Sequence, residues 1–343
     1  MQNKSRETHA LFWLGRNEGN GVYADMVIHE IDAAPAPDLQ RGLDEFEAMF
    51  TVPFAPGRSY RIDYGSDRTA FIRSLGESKC LAAENEGRIV GFLEMALVNL
   101  LLPNGATRPA VYIADIKMLP EARATITTAR ILQKGIEWAR ARSDLWFTAA
   151  LDGTPVKPPD YTGRAGIPKF SEAGRLTVVR LPVSAGDGQR ETDGRLLARN
   201  GEGEELFKQL ARGRCGVLGG GAEARSVEPP VWMAHPSGLA CGRFEDRRKV
   251  RRLIADDGNE LRPAYFSCFA FQDAEAAVDL IEAGLRRAES LGFRALRFCL
   301  PPGDLAMLQR VVGPVAIHGN GGAVFATAKE ETGEIWNLSA AEI

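Results

Sequence analysis

Two apolar runs, Ile89 to Leu100 and Pro109 to Met118, are each interrupted by a single carboxylate, Glu94 and Asp115. Both runs read as strands, and the first pairs with a shorter strand, Cys80 to Glu84, across a turn at Asn85-Glu86-Gly87. The pattern then changes period. From Thr127 to Arg142, Ile131, Leu132, Ile136 and Trp138 are spaced for one packed side of a helix, and Leu145 to Leu151 returns to a strand. Upstream, Val22 to Ile31 alternates as a strand and stops at Ala34-Pro35-Ala36-Pro37. Leu39, Leu43, Phe46, Met49 and Phe50 give Asp38 to Phe50 a helical spacing with Asp38 as its cap, and Thr69 to Leu75 predicts a second short helix. The order strand, two helices, three strands, helix, strand defines a mixed α/β layer.

The same order recurs. Arg108-Pro109-Ala110 precedes one strand and Arg262-Pro263-Ala264 another, an offset of 262 − 108 = 154 residues. Gly238 to Ile254 resembles the earlier strand pair. Asp273 to Ser290 is a helix with Val278, Ile281 and Leu285 on one face, and Phe293 to Leu300 is the strand after it. Val315 to Lys329 reads as two strands around a hairpin-type turn at His318-Gly319-Asn320-Gly321-Gly322. A duplicated unit of about 150 residues follows. The division is a polar leader at 1–20, a first domain at 21–183, a linker at 184–203 rich in Gly, Asp and Glu, and a second domain at 204–343 that opens with a helix, Glu204 to Arg212. Cys215 to Pro230 reads as a loop. Its Gly219-Gly220-Gly221 follows no strand and precedes no lysine, so it reads as a turn and not as a phosphate cradle.

Composition removes several classes of function. A net charge of −3 over 343 residues provides no global basic field for nucleic acid or an anionic membrane. The local run Arg247-Arg248-Lys249-Val250-Arg251-Arg252 reads as the solvated face of a strand or hairpin. No stretch approaches the roughly 18 apolar residues of a membrane span. The N-terminus lacks the apolar core of a signal peptide, so a cytoplasmic protein is expected. The five cysteines are scattered, without zinc spacing, and are expected to be reduced and mostly buried. His29, His235 and His318 fall in separate segments and form no catalytic triad order.

One place suggests a cofactor. The strand Val111 to Met118 runs through Leu119-Pro120 and Arg123 into Thr125, Thr127 and Thr128 and then the helix. A strand feeding a helix N-terminus directs free backbone N–H groups at one spot, which suits a phosphate or pyrophosphate. This strand-turn-helix and the order of elements resemble the GNAT acyltransferases. In that family the pyrophosphate of acyl-CoA is held by a loop of pattern R/Q-x-x-G-x-G/A, which falls here on Arg123-Ala124-Thr125-Ile126-Thr127-Thr128. Arg123 matches; Ile126 and Thr128 replace the glycines, and threonine hydroxyls are the compensating donors. Tyr161-Thr162-Gly163-Arg164-Ala165-Gly166-Ile167 resembles the family's Tyr-x-x-x-Gly-Phe segment, in which a tyrosine protonates the departing thiolate. In the second copy, Phe269 to Ala274 has neither the arginine nor the glycines, so that copy is degenerate.

The resemblance implies two tandem GNAT-like mixed-sheet domains of α/β (α+β) class. It implies acetyl-CoA or another acyl-CoA as co-substrate, held by Ile116, Lys117, Met118, Arg123, Ala124, Thr125, Ile126, Thr127 and Thr128. Asp115 and Glu94 are the candidate bases and Tyr161 the candidate acid. A backbone N–H near Met118 is the candidate oxyanion donor. The acceptor is an amine of a small molecule or peptide, with neither metal, nucleic acid nor membrane involved; a homodimer is compatible. A non-catalytic protein that binds acyl-CoA is the alternative. An aminoacyl-tRNA-dependent transferase is disfavoured by the acidic balance.

Overall fold

The structure is a computed structural model that describes residues 26–55, 57–123, 125–154, 156–161, 166–183, 195–196, 200–313, 317 and 319–343. The first half comprises β1 (Val27–Ile31), α1 (Pro37–Glu47), β2 (Val52–Ala55), β3 (Arg58–Asp63), α2 (Ala70–Leu75) and β4 (Ser78–Asn85). It continues with β5 (Arg88–Leu101), β6 (Thr107–Met118), α3 (Ile126–Arg140), β7 (Trp146–Leu151), α4 (Pro158–Tyr161) and β8 (Ser171–Pro182). The second half begins with β9 (Arg195–Leu196), α5 (Asn200–Leu210), β10 (Cys215–Leu218), α6 (Ala222–Arg225), β11 (Val231–Ala234), β12 (Ala240–Glu245) and β13 (Arg252–Ala255). It ends with β14 (Pro263–Phe271), α7 (Ala274–Ser290), β15 (Ala295–Leu300), α8 (Pro302–Val312), β16 (Gly319–Ala326), α9 (Lys329–Thr332) and β17 (Trp336–Asn337).

The two apolar runs become the centre of one large sheet, ordered β1-β4-β5-β6-β7-β16-β8-β15-β14-β12-β11-β9, with β10 pairing β5 and β17. Both halves share it. β16 from the second half lies between β7 and β8 of the first, and β8 in turn pairs with β15. Strand-helix-strand units occur in each half, β6-α3-β7 and β14-α7-β15, and in each the two strands are parallel. A glycine brings each helix onto the sheet. A Cβ on Gly135 of α3 would lie 2.6 Å from Leu93, and one on Gly284 of α7 would lie 2.5 Å from Phe266.

These contacts assign the two faces of the sheet. Leu93 and Met95 meet α3, so Glu94 between them points to the opposite face, as does its register partner Asp115. Phe266 and Leu296 meet α7, so Tyr265 and its partner Arg297 point to that opposite face too. A three-stranded sheet, β13-β3-β2, again joins both halves. Together with α1, α2 and the last residues of the chain it covers the face bearing Glu94, Asp115 and Arg297.

Four expectations change. α1 starts on Pro37 after Ala36, so Asp38 sits in the first turn and caps nothing; proline's fixed φ suits that first position. The segment Gly319 to Gly322 is no turn but the start of β16, where glycines admit close neighbours on both sides: a Cβ on Gly319 would lie 2.1 Å from the Val178 carbonyl oxygen. His318 lies outside the described residues. The loop at Gly219-Gly220-Gly221 follows a short strand after all, and Gly221, with φ of 66°, sits where a Cβ would lie 1.7 Å from the carbonyl oxygen of Ser74. Close backbone approach, not phosphate, explains that glycine. The basic run, finally, is a solvated face only in part: Lys249 and Arg252 are exposed, but the others turn inward. Arg247 and Arg251 are 2% and 5% exposed, because Arg247 donates to the Ala341 carbonyl and Arg251 to Glu94.

Candidate functional site

β6 and β7 pair at only two positions, Val111 with Trp146 and Tyr112 with Phe147, and then diverge. β6 nevertheless stays paired to β5 as far as Met118. The divergence coincides with a β-bulge, since Glu94 faces Asp115 while Met95 faces Ile113, leaving Ala114 as the extra residue. Beyond Tyr112 the β7-facing edge of β6 therefore has no strand partner, and its backbone groups border an opening through the sheet.

A cavity of about 1110 Å³ occupies that opening. On the helix side it is apolar, walled by Leu93, Met95, Leu132, Gly135 and Ile136. It passes Ile113 to Ile116 of β6 and Ala149 to Asp152 of β7, then spreads under β2 and β3 on the other face. There Asp115, Arg180, Arg297, Asn320 and Tyr60 supply its polar wall. Long apolar cavities with a few convergent polar groups are the usual form of a substrate site.

Asp115 stands at the passage. Its Oδ2 is 2.8 Å from Lys117 Nζ and 3.3 Å from Arg68 Nη2. Oδ1 has no hydrogen-bond partner among the described residues. Burial would raise its pKa, but Lys117 and then Arg68 outweigh burial and hold the carboxyl below the usual aspartate value, so it is ionised at neutral pH. Lys117 is correspondingly held above its usual value: burial opposes the charge, and Asp115 and Glu47 more than offset this.

Glu94 is placed differently. It is fully buried, with Oε2 2.8 Å from Arg68 and Oε1 2.7 Å from Arg251, and it does not line the cavity. Arg68 is itself sandwiched, its guanidinium 3.7 Å from the Tyr64 ring centroid and 4.2 Å from that of Phe92. Arg251 lies 3.4 Å over Phe71. Three carboxylates (Glu47, Glu94, Asp115) thus meet three cations (Arg68, Lys117, Arg251), a closed set whose formal charges cancel.

The turn from β6 into α3 is organised mainly by its threonines. Thr125 caps the helix, its hydroxyl accepting from Thr127 N at 3.2 Å. The Thr125 and Thr128 hydroxyls both donate to the Ala122 carbonyl at 2.7 Å, so they bind inward and are not donors to a ligand as the sequence suggested. Thr127 is buried. The first-turn N–H groups of a helix have no intrahelical acceptor, and here Thr127 N is satisfied by the Thr125 hydroxyl. Ile126 is 48% exposed. Arg123 is exposed and its Nε donates to the Met118 carbonyl at 3.1 Å. Of the residues expected to hold a cofactor, Ile116 lines the cavity, while Lys117, Met118, Arg123, Thr125, Ile126, Thr127 and Thr128 do not. Ala124 lies outside the described residues. Tyr161 ends the short α4, next to Pro158 on the cavity wall, and its side chain lies outside what is described.

A second buried charge cluster lies in the other half. Arg225 makes a bidentate pair with Glu245 at 2.8 and 2.9 Å, and Glu342 sits 3.9 Å away with its Oε1 unpartnered. Burial would raise the Glu245 pKa, but Arg225 and Arg243 bring it down to about 2. For Glu342 burial prevails over Arg225, and its carboxyl is pushed up to about 7 from 4.5. The folded state therefore binds a proton there that the unfolded chain releases. The resulting stability is complete below about pH 4.5 and is lost as pH rises through about 7, a change of about 3 kcal/mol. Glu342→Gln is expected to flatten this part of the profile, seen as urea midpoints that differ less between about pH 5 and about pH 8 than those of the parent chain. An unchanged difference would remove Glu342 from that role.

Among the described residues there is no grouping of His, Cys, Asp and Glu that could hold a metal, and no helix long and apolar enough to cross a membrane. All five cysteines are buried and unbridged.

A mixed sheet opened between two parallel strands, with helices α3 and α7 on one face, is a GNAT-like α/β fold. The similarity extends to particular solved structures. The N-myristoyltransferase of Saccharomyces cerevisiae, solved with bound myristoyl-CoA and inhibitors, matches with a TM-score of 0.54 and 12% identity, covering 87% of this chain and 79% of that one. A putative acetyltransferase from Pyrococcus horikoshii matches with a TM-score of 0.52 and 12% identity over 90% of this chain and 94% of that one. A GCN5-related N-acetyltransferase from Anabaena variabilis gives 0.50 and 13%, covering 88% and 72%. At such identities the likeness is one of fold. No family model and no curated protein sequence matches the chain.

Sequence reasoning passed over Arg180, Arg297, Tyr60 and Asn320. Arg297 had a signal: it is the single charge in Ala295–Leu300, as Glu94 and Asp115 are the single carboxylates of their runs. Applying that criterion to cations as well as carboxylates would have found it.

Proposed function

We propose that the protein transfers an acyl group from acyl-CoA to an amine, with the donor entering from the α3 side of the sheet and the acceptor from the side of Asp115. The observation that carries this reading is the cavity through the splayed β6–β7 pair, apolar on one side and bearing an ionised carboxylate on the other. The α3 N-terminus suits the phosphates of such a donor, because first-turn N–H groups lack partners within a helix and the Ile126 residue there is exposed. Acyl-CoA supplies an activated thioester. The chain's own groups do the rest. The unpaired edge of β6 from Ile113 to Ile116 offers backbone N–H groups to the carbonyl oxygen. Asp115 Oδ1 holds the incoming ammonium and takes its proton, directly or through water, and Tyr161 or solvent returns one to the thiolate. Glu94 has no part in proton transfer in this scheme, since both its oxygens are bound by guanidiniums; it fixes Arg68, which positions Asp115.

In the same reading residues 21–183 hold the donor, and 204–343 form the degenerate copy, whose role is to roof the acceptor side through β13 and to complete the sheet through β16. Calorimetric titration with acetyl-CoA and longer acyl-CoA tests the proposal. Binding with free CoA released on addition of an amine is expected; absence of any CoA binding would leave no basis for acyl transfer.

A further inference from the structure

We infer that the acceptor amine carries an oxyanion, a carboxylate or a phosphate, which is bound between Arg180 and Arg297 on the wall of the cavity. The inference rests on the acyl-transfer reading for the word acceptor, but its physical basis is independent of it. Arg180 on β8 and Arg297 on β15 are direct cross-strand partners, so they share one face, and both line the cavity. Like charges directly opposite on a sheet destabilise it unless something negative lies between or beside them. Among the described residues no carboxylate does so. Asp115 is bound by Lys117 and Arg68, and Asp152, the other carboxylate of the wall, is bound by Arg175 at 2.8 Å.

Other features fit the same ligand. Arg297 has a buried Nε without a hydrogen-bond partner. Asn320 of β16 faces Val178, two residues before Arg180, and so adds an amide to the same wall. Burial and the neighbouring charge of Arg297 lower the Arg180 pKa, the response of a cation that lacks a counterion. Guanidinium pairs match carboxylate and phosphate oxygens bidentately, which a lysine pair would not. Asp115 lies on the same face and lines the same cavity, but β7 and β16 stand between β6 and β8, about 14 Å from strand to strand, so an acceptor that reaches both groups is an extended molecule. Peptides with a free C-terminus several residues from the amine, and long-chain phosphorylated amines, have this chemistry.

The test separates the anion site from the donor site. Binding of inorganic phosphate and of acetate is measured by calorimetry on the full chain and on Arg180→Gln, with CoA titrated into both. Arg180 makes no hydrogen bond or ion pair among the described residues, so its replacement removes no contact that holds the fold; Arg180→Lys serves as the charge-retaining control. The expected result is a loss of about tenfold or more in anion affinity for Arg180→Gln, a smaller loss for Arg180→Lys, and unchanged CoA affinity. The ratio of short peptides with free and amidated C-termini, and of long-chain amines with and without a terminal phosphate, as acceptors then tells carboxylate from phosphate. Absent anion binding, or affinity equal in parent and variant, overturns the proposal. A parallel fall in CoA affinity also overturns it, because the pair would then serve the donor. Failure of CoA binding alone sinks acyl transfer and leaves the anion site standing.

Discussion

Replacement of Asp115 by asparagine is expected to lower the rate of acyl transfer by about 10²- to 10⁴-fold while leaving acyl-CoA affinity within about twofold. The side chains are nearly isosteric, so the cavity keeps its shape. What disappears is the negative charge at the passage between the two sides of the sheet, and with it the means of holding an ammonium and removing its proton. Because Lys117 and Arg68 hold the carboxyl below the usual value, Asp115 stays charged well into the acid range, and activity is not expected to follow its titration near neutrality. Thiol release with a screened amine, alongside calorimetry of CoA, provides the measurement. The asparagine variant also leaves Lys117 and Arg68 with less counter-charge, so its melting temperature must be recorded. An activity equal to the parent's would show that Asp115 takes no proton.

Glu94→Ala is expected to destabilise the fold by about 3–5 kcal/mol, the cost of leaving buried charge uncompensated. Arg251 would lose its carboxylate and Arg68 its closest one, keeping only Asp115 at 3.3 Å and Glu47 at 3.5 Å; both guanidiniums are buried, 1% and 5% exposed, and stacked on Tyr64, Phe92 and Phe71. Against a total stability of about 5–15 kcal/mol, that loss would lower the urea midpoint severely. Glu94→Gln keeps hydrogen-bond acceptance at one oxygen and should lose less. If the glutamine variant folds, it is expected to retain substantial acyl transfer, which distinguishes a positioning residue from a base. A loss below about 1 kcal/mol for the alanine variant would contradict the closed charge network.

The central strands and α3 were legible because their signal is local. Apolar runs of strand length and a change to helical spacing from Thr127 are properties of contiguous residues, and they predicted β5, β6 and α3 with small shifts of their ends. The single carboxylates in those runs were also visible, and the register places them opposite each other. Their difference in role was not. Whether a buried carboxylate meets one guanidinium or two, and whether it borders a cavity, depends on Arg68 and Arg251, which lie 26 residues before and 157 residues after Glu94. The basic run at Arg247 to Arg252 failed for the same reason: charge in sequence says nothing about whether a carbonyl or a carboxylate elsewhere will receive it.

The sequence by itself determined the class of fold, the strand-turn-helix of β6 and α3, and the presence of ionisable groups inside apolar strands. These follow from periodicity and capping, which act over a few residues. Only the tertiary structure decided that β16 enters the sheet between β7 and β8, that β13 and β3 close over the far face, and that Arg180 and Arg297 stand side by side on a cavity wall. Those juxtapositions join residues more than a hundred positions apart, and they arise because strand pairing and burial select partners by shape and charge once the chain is compact.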